Sequence, residues 1–407
     1  MNSKIKTLTI HLHQPTPQKV GTLATKNHKI YFEYDADFLK TGIELSPYKL
    51  PLKPGVQRCD DSVFDGLWGV FADSLPDGWG QLLMDRHLMK QGVNPHSLTP
   101  LDRLAYVGKH AMGALSYEPE VGAESSVEQI VLDDLAKSSQ EILQGSSDVM
   151  LDELLALGGS SAGARPKVLV QLSDDKHEVI HGRQPLKEGF SHWMVKFASS
   201  SDIEQIGAVE YAYALMAKAA GVQMPETALL EGKRGCYFAA KRFDRIGEKR
   251  VHMHSVAGLV HADFRYPTLD YNDLLSLTLH LTKHAKEVEK VFRLACFNLF
   301  AHNRDDHAKN FSFLMDETGR WQFSPAYDLT FSYGPGGEHS TMYLDEGKNP
   351  TSEHLLKLGQ KHGIKKAKFI IDKVREAVSR WDVFAKEGGV SSAVGKSIRK
   401  ELLMRLS

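Results

Sequence analysis

The chain has 407 residues, 42% of them apolar and 25% charged, and its formal net charge is −1. This composition is typical of a globular protein of two or three domains, and the near-zero charge excludes a surface that is basic throughout and built for nucleic acid. Three scattered cysteines without a CxxC pair exclude a disulfide framework and favour the cytoplasm, and no run approaches the ~18 apolar residues of a membrane span.

Residues 1–120 predict a first domain that is rich in strands. Alternating and aromatic runs predict strands at 5–13, 20–23 and 29–34. A proline–glycine turn in residues 73–83 opens a helix, and we expect its buried stripe to consist of Leu82, Met84, Leu88 and Met89. A short helix over 101–107 that ends at Gly108, and a strand over 113–119, complete this domain.

Residues 121–243 predict a second domain, in which a small sheet is combined with helices. Helices are expected at 127–143, 151–157 and 201–220. The last helix carries one apolar face formed by Val209, Tyr213 and Met216. Strands are expected at 168–172, 192–197, 227–230 and 236–243.

Residues 244–407 predict a third domain that is mostly helical. Helices are expected at 273–284, 287–300, 353–358 (capped by Gly359) and 365–385. Between the second and third helix lie a polar loop at 302–310, a hairpin and a segment around Asp328. A strand-rich half followed by a helical half is the order of the two lobes of a protein kinase. The predicted fold is therefore α+β, a protein-kinase-like two-lobe fold with a β-rich N-terminal lobe, an extra N-terminal subdomain and a mostly α-helical C-terminal lobe.

The polar loop carries the spacing that points most directly to chemistry. In a protein kinase the catalytic Asp stands five positions before a metal-binding Asn, and a second metal-binding Asp comes later. Asp305, Asn310 and Asp328 have this arrangement. We expect Asp305 to orient the attacking hydroxyl and the other two to hold Mg²⁺. Lys309 would neutralise the transferring phosphoryl group and His307 would fix the loop; the alternative is a charged loop without chemistry.

Residues 158–167 form a Gly-rich loop whose successive backbone N–H groups could cradle phosphates. The pattern is neither GxxxxGK[ST] nor GxGxxG, so a flexible surface turn is the alternative. The candidate contacts to ATP in this loop are Ala162, Gly163, Ala164, Arg165 and Lys167. The candidate phosphoacceptors are Ser160 and Ser161.

Lys196 lies on an apolar strand, where a kinase carries the lysine that binds the α- and β-phosphates. Its expected partner on the next helix is Glu210, which buried residue types surround, with Glu204 as the second choice. A solvated lysine at a strand edge is the alternative. The last strand of this sheet would form the hinge that binds adenine through backbone groups, and its candidate residues are Lys241, Arg242 and Phe243.

Together these stretches resemble the HipA family, the serine/threonine-kinase toxins of bacterial type II toxin–antitoxin modules. The resemblance covers essentially the whole chain. The motifs that carry it are VGTL at 20–23, DSLPDGWG at 73–80, MGAL at 112–115, SSAGARPK at 160–167, RFDR at 242–245, DDHAKN at 305–310 and YD at 327–328.

The resemblance implies ATP and Mg²⁺ as cofactors, with Asp305 catalytic, Asn310 and Asp328 on the metal and Lys196 on phosphate. It also implies autophosphorylation at Ser160, which ejects the Gly-rich loop and silences the kinase. The implied substrate is an aminoacyl-tRNA synthetase such as the glutamyl enzyme. The implied partner is a small helix-turn-helix antitoxin, similar to HipB, that carries the complex to operator DNA.

Two departures from the family pattern leave the substrate open. Asp306 stands where some members carry Gly, which adds a second acid beside the catalytic one, and Arg165 and Pro166 stand where the best-known member has Gln and Glu. Two other functions are alternatives to an active protein kinase: a non-catalytic co-repressor scaffold that binds an antitoxin, and a small-molecule kinase. Retention of the catalytic and metal-binding residue types favours activity over the scaffold.

Overall fold

The computed structural model describes most of the chain, namely residues 4–122, 130–159, 163–199, 202–203 and 205–406. Four residues named above, Ser160, Ser161, Ala162 and Glu204, lie outside the described residues. Below, the N-terminal region is residues 4–122, the middle region is 130–243 and the helical region is 244–406.

The N-terminal region is built on one antiparallel sheet with the strand order β4-β3-β2-β1-β5. Its strands are β1 Thr7–His13, β2 Pro17–Lys26, β3 Lys29–Tyr34, β4 Gln57–Arg58 and β5 Leu115–Glu118. Its helices are α1 Ala36–Leu39, α2 Gly69–Ala72, α3 Gly78–Lys90 and α4 Pro100–Val107. Strand β1 buries Leu8, Ile10 and Leu12, because alternate residues of a strand share a face. The strands and the helix ending at Gly108 are confirmed, with ends that differ by a few residues.

Helix α3 buries Met84 and Leu88 as predicted, but its buried residues form two faces and not one stripe. Met84 and Leu88 pack in the core of the N-terminal region, whereas Trp79 and Leu83 pack against the sheet of the middle region. The prediction was wrong for Met89, which is 56% exposed. A single apolar stripe was expected, but the helix is wedged between two cores and therefore buries two faces.

The middle region contains a second antiparallel sheet, in the order β7-β6-β8-β10-β9. Its strands are β6 Lys167–Ser173, β7 Val179–His181, β8 Phe190–Lys196, β9 Thr227–Gly232 and β10 Gly235–Lys241. Its helices are α5 Leu132–Gln144, α6 Leu151–Gly158 and α7 Ile206–Ala219. The apolar face of α7, with Val209, Tyr213 and Met216, is buried as predicted, and it belongs to the core of the helical region. Helix α7 thus joins the two regions.

The helical region holds three small sheets and seven helices among the described residues. The helices are α8 Val256–Val260, α9 Tyr271–Thr282, α10 Ala285–Phe300, α11 Ser352–Lys361, α12 Ala367–Ser379, α13 Trp381–Glu387 and α14 Ser392–Leu406. The strands are β11 Arg245–Ile246, β12 Lys249–Arg250, β13 His252–Ser255, β14 Leu269–Asp270, β15 Ser312–Met315, β16 Trp321–Phe323 and β17 Thr341–Met342. The combination of antiparallel sheets with this helical region confirms the α+β class. No helix in the described ranges has both the length and the apolar character needed to cross a membrane.

Three helix predictions for this region need correction. Gly359 does not cap α11 but lies inside it, where a Cβ atom would stand 2.5 Å from the Cβ of Ala367, so the glycine serves a close helix contact. The helix expected at 365–385 breaks at Arg380, and the indole of the buried Trp381 donates to the carbonyl of Gly395 in α14. Helix α14 was missed because it buries only three residues, too few for a clear apolar stripe.

Buried polar contacts attach the N-terminal region to the helical region. The Asp73 carboxylate accepts from the Ser255 backbone N–H (2.7 Å) and hydroxyl (2.6 Å) and contacts His254 Nδ1 at 2.6 Å. The Gln14 amide donates to the Met315 carbonyl at 2.6 Å. Because these groups are shielded from water, separating the two regions would leave them without partners, which is costly.

A buried carboxylate, Asp244, anchors the start of the helical region. It accepts from Arg242 Nη2 (2.7 Å), Arg245 Nη1 (2.8 Å) and the Gly113 N–H (2.8 Å), and it is 1% exposed. Burial alone would raise the pKa of Asp244, but Arg242 and Arg245 outweigh it and hold the pKa well below its usual range. Arg250 extends the cluster by donating to the Leu115 carbonyl at 2.8 Å. The cluster therefore connects β5 of the N-terminal sheet to residues 244–250, which follow the sheet of the middle region.

Asp244→Asn should lower the free energy of unfolding by about 3 kcal/mol or more, because it leaves buried arginines without their carboxylate. The measurement is urea unfolding followed by circular dichroism. Glu317→Ala is the control, because it removes only an exposed pair with Lys249 at 3.6 Å and should change stability by no more than about 0.5 kcal/mol. Equal effects of the two substitutions would contradict a stabilising role for the cluster.

The stability difference between the wild type and Asp244→Asn should also depend on pH. A carboxylate with a depressed folded-state pKa contributes its stability above the unfolded value of about 3.9 and loses it as the pH falls toward the folded value. The difference should therefore be constant from pH 7 to 5 and shrink below about pH 4. Unfolding curves at several pH values measure it, and a difference that grows in acid would refute the assignment.

Candidate active site

The polar loop begins where the buried helix α10 ends, as predicted. After Phe300 the chain turns through His302, whose φ is +51°, and later enters a short 3₁₀ turn, Ala308–Asn310. His302 Nδ1 lies 3.1 Å from the Ser332 carbonyl, and Arg304 Nη2 donates to the Lys348 carbonyl at 3.1 Å. The loop is thus held against the segment that follows Asp328.

Asp306 proves to be a structural residue of the polar loop. Its carboxylate accepts from the Tyr271 hydroxyl (2.9 Å), the Ser340 N–H (2.9 Å) and the Thr341 N–H (3.2 Å), and His339 Nδ1 lies at 3.0 Å. The side chain is 1% exposed. Asp306 therefore fixes the shape of the loop and is not a second free carboxylate beside Asp305.

Asp305, in contrast, stands at the open side of the loop. Its side chain is 52% exposed, and one carboxylate oxygen lies 3.9 Å from His307 Nε2. Partial burial raises the pKa of Asp305 and the negative charge of Asp328 adds to this, although His307 opposes it. Asn310 folds back so that its Nδ2 donates to the Asp305 carbonyl at 2.7 Å. The loop thus presents a carboxylate of increased basicity beside an amide oxygen.

A network of ion pairs joins the middle region to the helical region. The place where Lys196 and Glu210 of the middle region meet Asp328 of the helical region is here called the cleft. The Lys196 ammonium, on β8, donates to Asp328 Oδ1 at 2.6 Å and to Glu210 of α7. Arg165 of the Gly-rich loop joins it, with Nε 2.8 Å from Asp202 Oδ1 and Nη1 3.3 Å from Glu210 Oε2. Arg165 therefore ties the Gly-rich loop to α7.

The opposite charges in this network shift the pKa values of Asp328 and Lys196 toward their ionised forms. Burial alone would raise the pKa of Asp328, but Lys196, Lys167 and Arg165 outweigh it and hold the pKa well below its usual range. Burial alone would lower the pKa of Lys196, but Asp328 and Glu210 outweigh it and raise the pKa. Asp328 and Lys196 are consequently both ionised at neutral pH. Asp328 has a φ of +57°, a strained conformation that often marks a functional position.

Lys167 is a second buried lysine directly opposite Lys196 on the neighbouring strand. Burial lowers its pKa to about 8, and the like charge of Lys196 acts in the same direction, against the pull of Asp328. A Cβ atom on Gly163 would lie 2.6 Å from Lys167 Nζ, so this ammonium lies directly beneath the Gly-rich loop. Ala164, next to Gly163, is exposed.

The N-terminal region contributes a carboxylate to which we assigned no role in the sequence. Asp77 contacts the Lys309 ammonium and accepts from the Gly163 N–H. The Lys309 ammonium also lies 4.2 Å from the ring centre of Phe264. Asp77 belongs to the DSLPDGWG motif, whose Pro-Asp-Gly segment resembles an ordinary turn. Only the long-range contact distinguishes it, and no local pattern predicts that contact.

Two of the three predicted hinge residues already use their backbone N–H groups in hydrogen bonds within the protein. The Lys241 N–H donates to the Glu226 carbonyl (2.8 Å) and the Arg242 N–H donates to the His192 carbonyl (2.9 Å). The Arg242 side chain serves the Asp244 cluster. Phe243 lies with its ring 5.7 Å from that of Tyr327, whose hydroxyl donates to the Lys309 carbonyl at 2.6 Å. The backbone N–H groups of Lys241 and Arg242 are thus engaged within the protein, and the binding of adenine by backbone groups of residues 241–243 stays a prediction.

Comparison with known proteins gives matches along most of the chain. Residues 8–118 match the HipA N-terminal domain, and residues 159–381 match the HipA-like C-terminal domain. The protein Y4dM of Sinorhizobium fredii, which carries the name of a kinase, is 26% identical over 81% of this chain and 80% of its own length. The serine/threonine-protein kinase toxin HipA of Shewanella oneidensis is 24% identical over 88% of this chain and 83% of its own length.

A solved structure confirms the predicted fold. It is the complex of HipA, HipB and operator DNA from the toxin–antitoxin system of Shewanella oneidensis MR-1, and it matches with a TM-score of 0.71 at 18% identity. The match covers 98% of this chain and 96% of the other. Because the HipA-like C-terminal domain alone accounts for residues 159–381, more than half of the 407, the chain belongs to the HipA family.

Proposed function

We propose that the protein is an ATP- and Mg²⁺-dependent serine/threonine protein kinase and the toxin of a HipBA-like toxin–antitoxin module. One observation carries the proposal: Lys196, the strand lysine, donates at 2.6 Å to Asp328, the candidate metal ligand on the other side of the cleft. Asp305 and Lys309 lie on the polar loop at the same cleft. Phosphoryl transfer requires cations on the phosphates and a carboxylate that orients the attacking hydroxyl.

The metal would be held by the Asp328 carboxylate and the Asn310 side-chain oxygen. Asp328 is ionised, and the Asn310 amide uses its nitrogen to donate to the Asp305 carbonyl, so the amide oxygen is the atom that would bind the metal. No group of three or more His, Cys, Asp or Glu side chains within the described ranges could hold a metal ion. Mg²⁺ fits such a sparse set, because it keeps several waters and needs few protein ligands. When bound, Mg²⁺ would supply charge neutralisation on the phosphates.

The remaining roles follow from charge and position. Asp305, with its raised pKa, accepts the proton of the substrate hydroxyl. Lys309 stabilises the negative charge of the transferring phosphoryl group, and His307 keeps the Asp305 carboxylate oriented. Lys196 and Lys167 contact the phosphates from beneath the Gly-rich loop, and Glu210 pairs with Lys196 when no nucleotide is bound.

The Gly-rich loop and the hinge complete the nucleotide site in this proposal. Arg165 holds the loop to α7 through Glu210, and the described part of the loop includes Gly163 and Ala164. The Phe243 N–H is the hinge donor left for adenine, because its two predecessors are engaged. The loop serines and Ala162 keep the roles given to them by the family resemblance: autophosphorylation at Ser160 or Ser161, and a contact to ATP at Ala162.

Asp305→Asn should reduce phosphate transfer at least about 10²-fold, because it removes the carboxylate that accepts the hydroxyl proton. The assay incubates the protein with labelled ATP, Mg²⁺ and purified glutamyl-tRNA synthetase, and peptide mapping should place the autophosphorylation on Ser160 or Ser161. Glu317→Ala, an exposed substitution, is the matched control and should keep full activity.

The outcomes of this assay separate the candidate functions. Label on the synthetase and on the protein itself would support the proposal. Label only on small metabolites of a cell extract would favour a small-molecule kinase. An absence of label from all proteins of a whole-cell extract would refute the kinase proposal and favour the co-repressor scaffold.

The second part of the proposal concerns the partner, a helix-turn-helix antitoxin similar to HipB. The solved HipA structure that this chain resembles contains HipB and operator DNA. With a net charge of −1, the chain alone should not shift an operator fragment on a native gel, because DNA affinity depends largely on cationic contacts to phosphates. The complex with a HipB-like helix-turn-helix antitoxin should shift that fragment. A shift by the chain alone would contradict the proposal that operator binding depends on the antitoxin.

A further inference from the structure

The turn formed by Asp77, Gly78 and Trp79, here named the Asp77 turn, binds both backbone groups of Gly163 in the Gly-rich loop. The Gly163 N–H donates to the Asp77 carboxylate, and the Gly163 carbonyl accepts from the Trp79 N–H at 3.0 Å. Gly78 has a φ of +44°, and a Cβ atom there would lie 2.6 Å from the Gly163 oxygen. The two backbones therefore pack in direct contact.

The same turn also holds the two ends of the Gly-rich loop. The indole N–H of Trp79 donates to the Lys167 carbonyl at 3.2 Å, at the end of the loop. A Cβ atom on Gly158, at its beginning, would lie 2.4 Å from the Lys167 carbonyl oxygen and 3.2 Å from Trp79 Nε1. The Trp79 side chain is 1% exposed. The loop thus starts and ends against one buried indole.

The Asp77 turn itself is a fixed support. Trp79 belongs to the core under the middle sheet, and Asp73, four residues before Asp77, is bound to His254 and Ser255 of the helical region. Both anchors are buried contacts between regions. The Asp77 turn is therefore a rigid support, because its attachments to two regions are buried.

Asp77 reaches a second element of the site, since its carboxylate also contacts the Lys309 ammonium. The side chains of Asp77 and Lys309 are 21% and 16% exposed. A carboxylate has enough acceptor sites for both partners. The Lys309 ammonium has three donors, so it can contact Asp77 and a phosphate together, whereas the single Gly163 N–H is committed to Asp77. The Gly163 N–H is consequently a support of the loop in this arrangement and not a phosphate ligand.

We propose that Asp77 is a positioning residue for phosphoryl transfer, supplied by the N-terminal region, which sets the Gly-rich loop and Lys309 at a fixed separation. The inference rests on the proposed kinase function for its catalytic consequence. The proposal also contains a structural claim, that the Gly-rich loop docks on the Asp77 turn, and this claim does not depend on kinase activity. The alternative is that the Asp77 carboxylate occupies the position of an ATP phosphate while no nucleotide is bound and is displaced when ATP binds.

The first measurement is hydrogen–deuterium exchange of peptides covering residues 158–167, without nucleotide. Asp77→Ala should exchange about tenfold faster there, which corresponds to the loss of about 1.4 kcal/mol of local protection. Asp77→Asn keeps an acceptor for the Gly163 N–H and should stay within about threefold of the wild type. Asp60→Asn, an exposed carboxylate of the N-terminal region, is the matched control. Unchanged peptides from strands β1 to β5 would show that each variant is folded.

The second measurement is the kinetics of phosphate transfer. Asp77→Asn should lower kcat about tenfold with KM for ATP within twofold, because it loosens Lys309 but keeps the loop docked. Asp77→Ala should lower kcat and also raise KM for ATP. A lower KM with an equal or higher kcat in either variant would overturn the proposal in favour of the displacement of Asp77 by ATP.

Failure of the two proposals can be distinguished. An inactive wild type would count against the kinase function, while faster exchange in Asp77→Ala would still support the docking of the Gly-rich loop. Unchanged exchange in Asp77→Ala would overturn the docking whether or not the protein transfers phosphate.

Discussion

The geometry of the cleft depends on the ion pairs that Lys196 makes with Glu210 and Asp328. The three residues come from β8, α7 and the segment after the hairpin, so these contacts join the middle region to the helical region at one point. Taking such charges out of water costs several kcal/mol for each ion, and mutual attraction repays this only with good geometry. An apolar trio would stabilise the fold at least as well, so we attribute the charged trio to function.

The sequence predicts those parts of the site whose residues are close together in the chain or whose chemistry requires a specific partner. Asp305 and Asn310 are five residues apart, and the apolar helix before them marks their position in the fold. The pairing of Lys196 with Glu210 could also be anticipated, because a strand lysine and a carboxylate among buried residue types need each other. These predictions required only a strand or helix period and the chemistry of the side chains.

The features that were missed depend on contacts between distant segments. Asp77 meets Lys309 across 232 positions, and the buried role of Asp306 depends on residues about 35 positions away on either side. Met89 was assigned to a buried stripe because one helix was assumed to face one core, whereas α3 faces two. Gly359 was read as a cap because the packing of α12 against it cannot be seen in the local pattern.

The sharing of Glu210 explains how Lys196 could turn toward a nucleotide without destabilising the cleft. Lys196 and Arg165 contact different oxygens of this carboxylate, which is only 2% exposed. If Lys196 moved toward phosphates, Glu210 would keep the Arg165 guanidinium and would not become a bare buried anion, the costly state. Arg165 also keeps Asp202 as a second partner, at 2.8 Å. Arg165 thus keeps Glu210 paired, and the Gly-rich loop stays attached to α7, whichever partner Lys196 contacts.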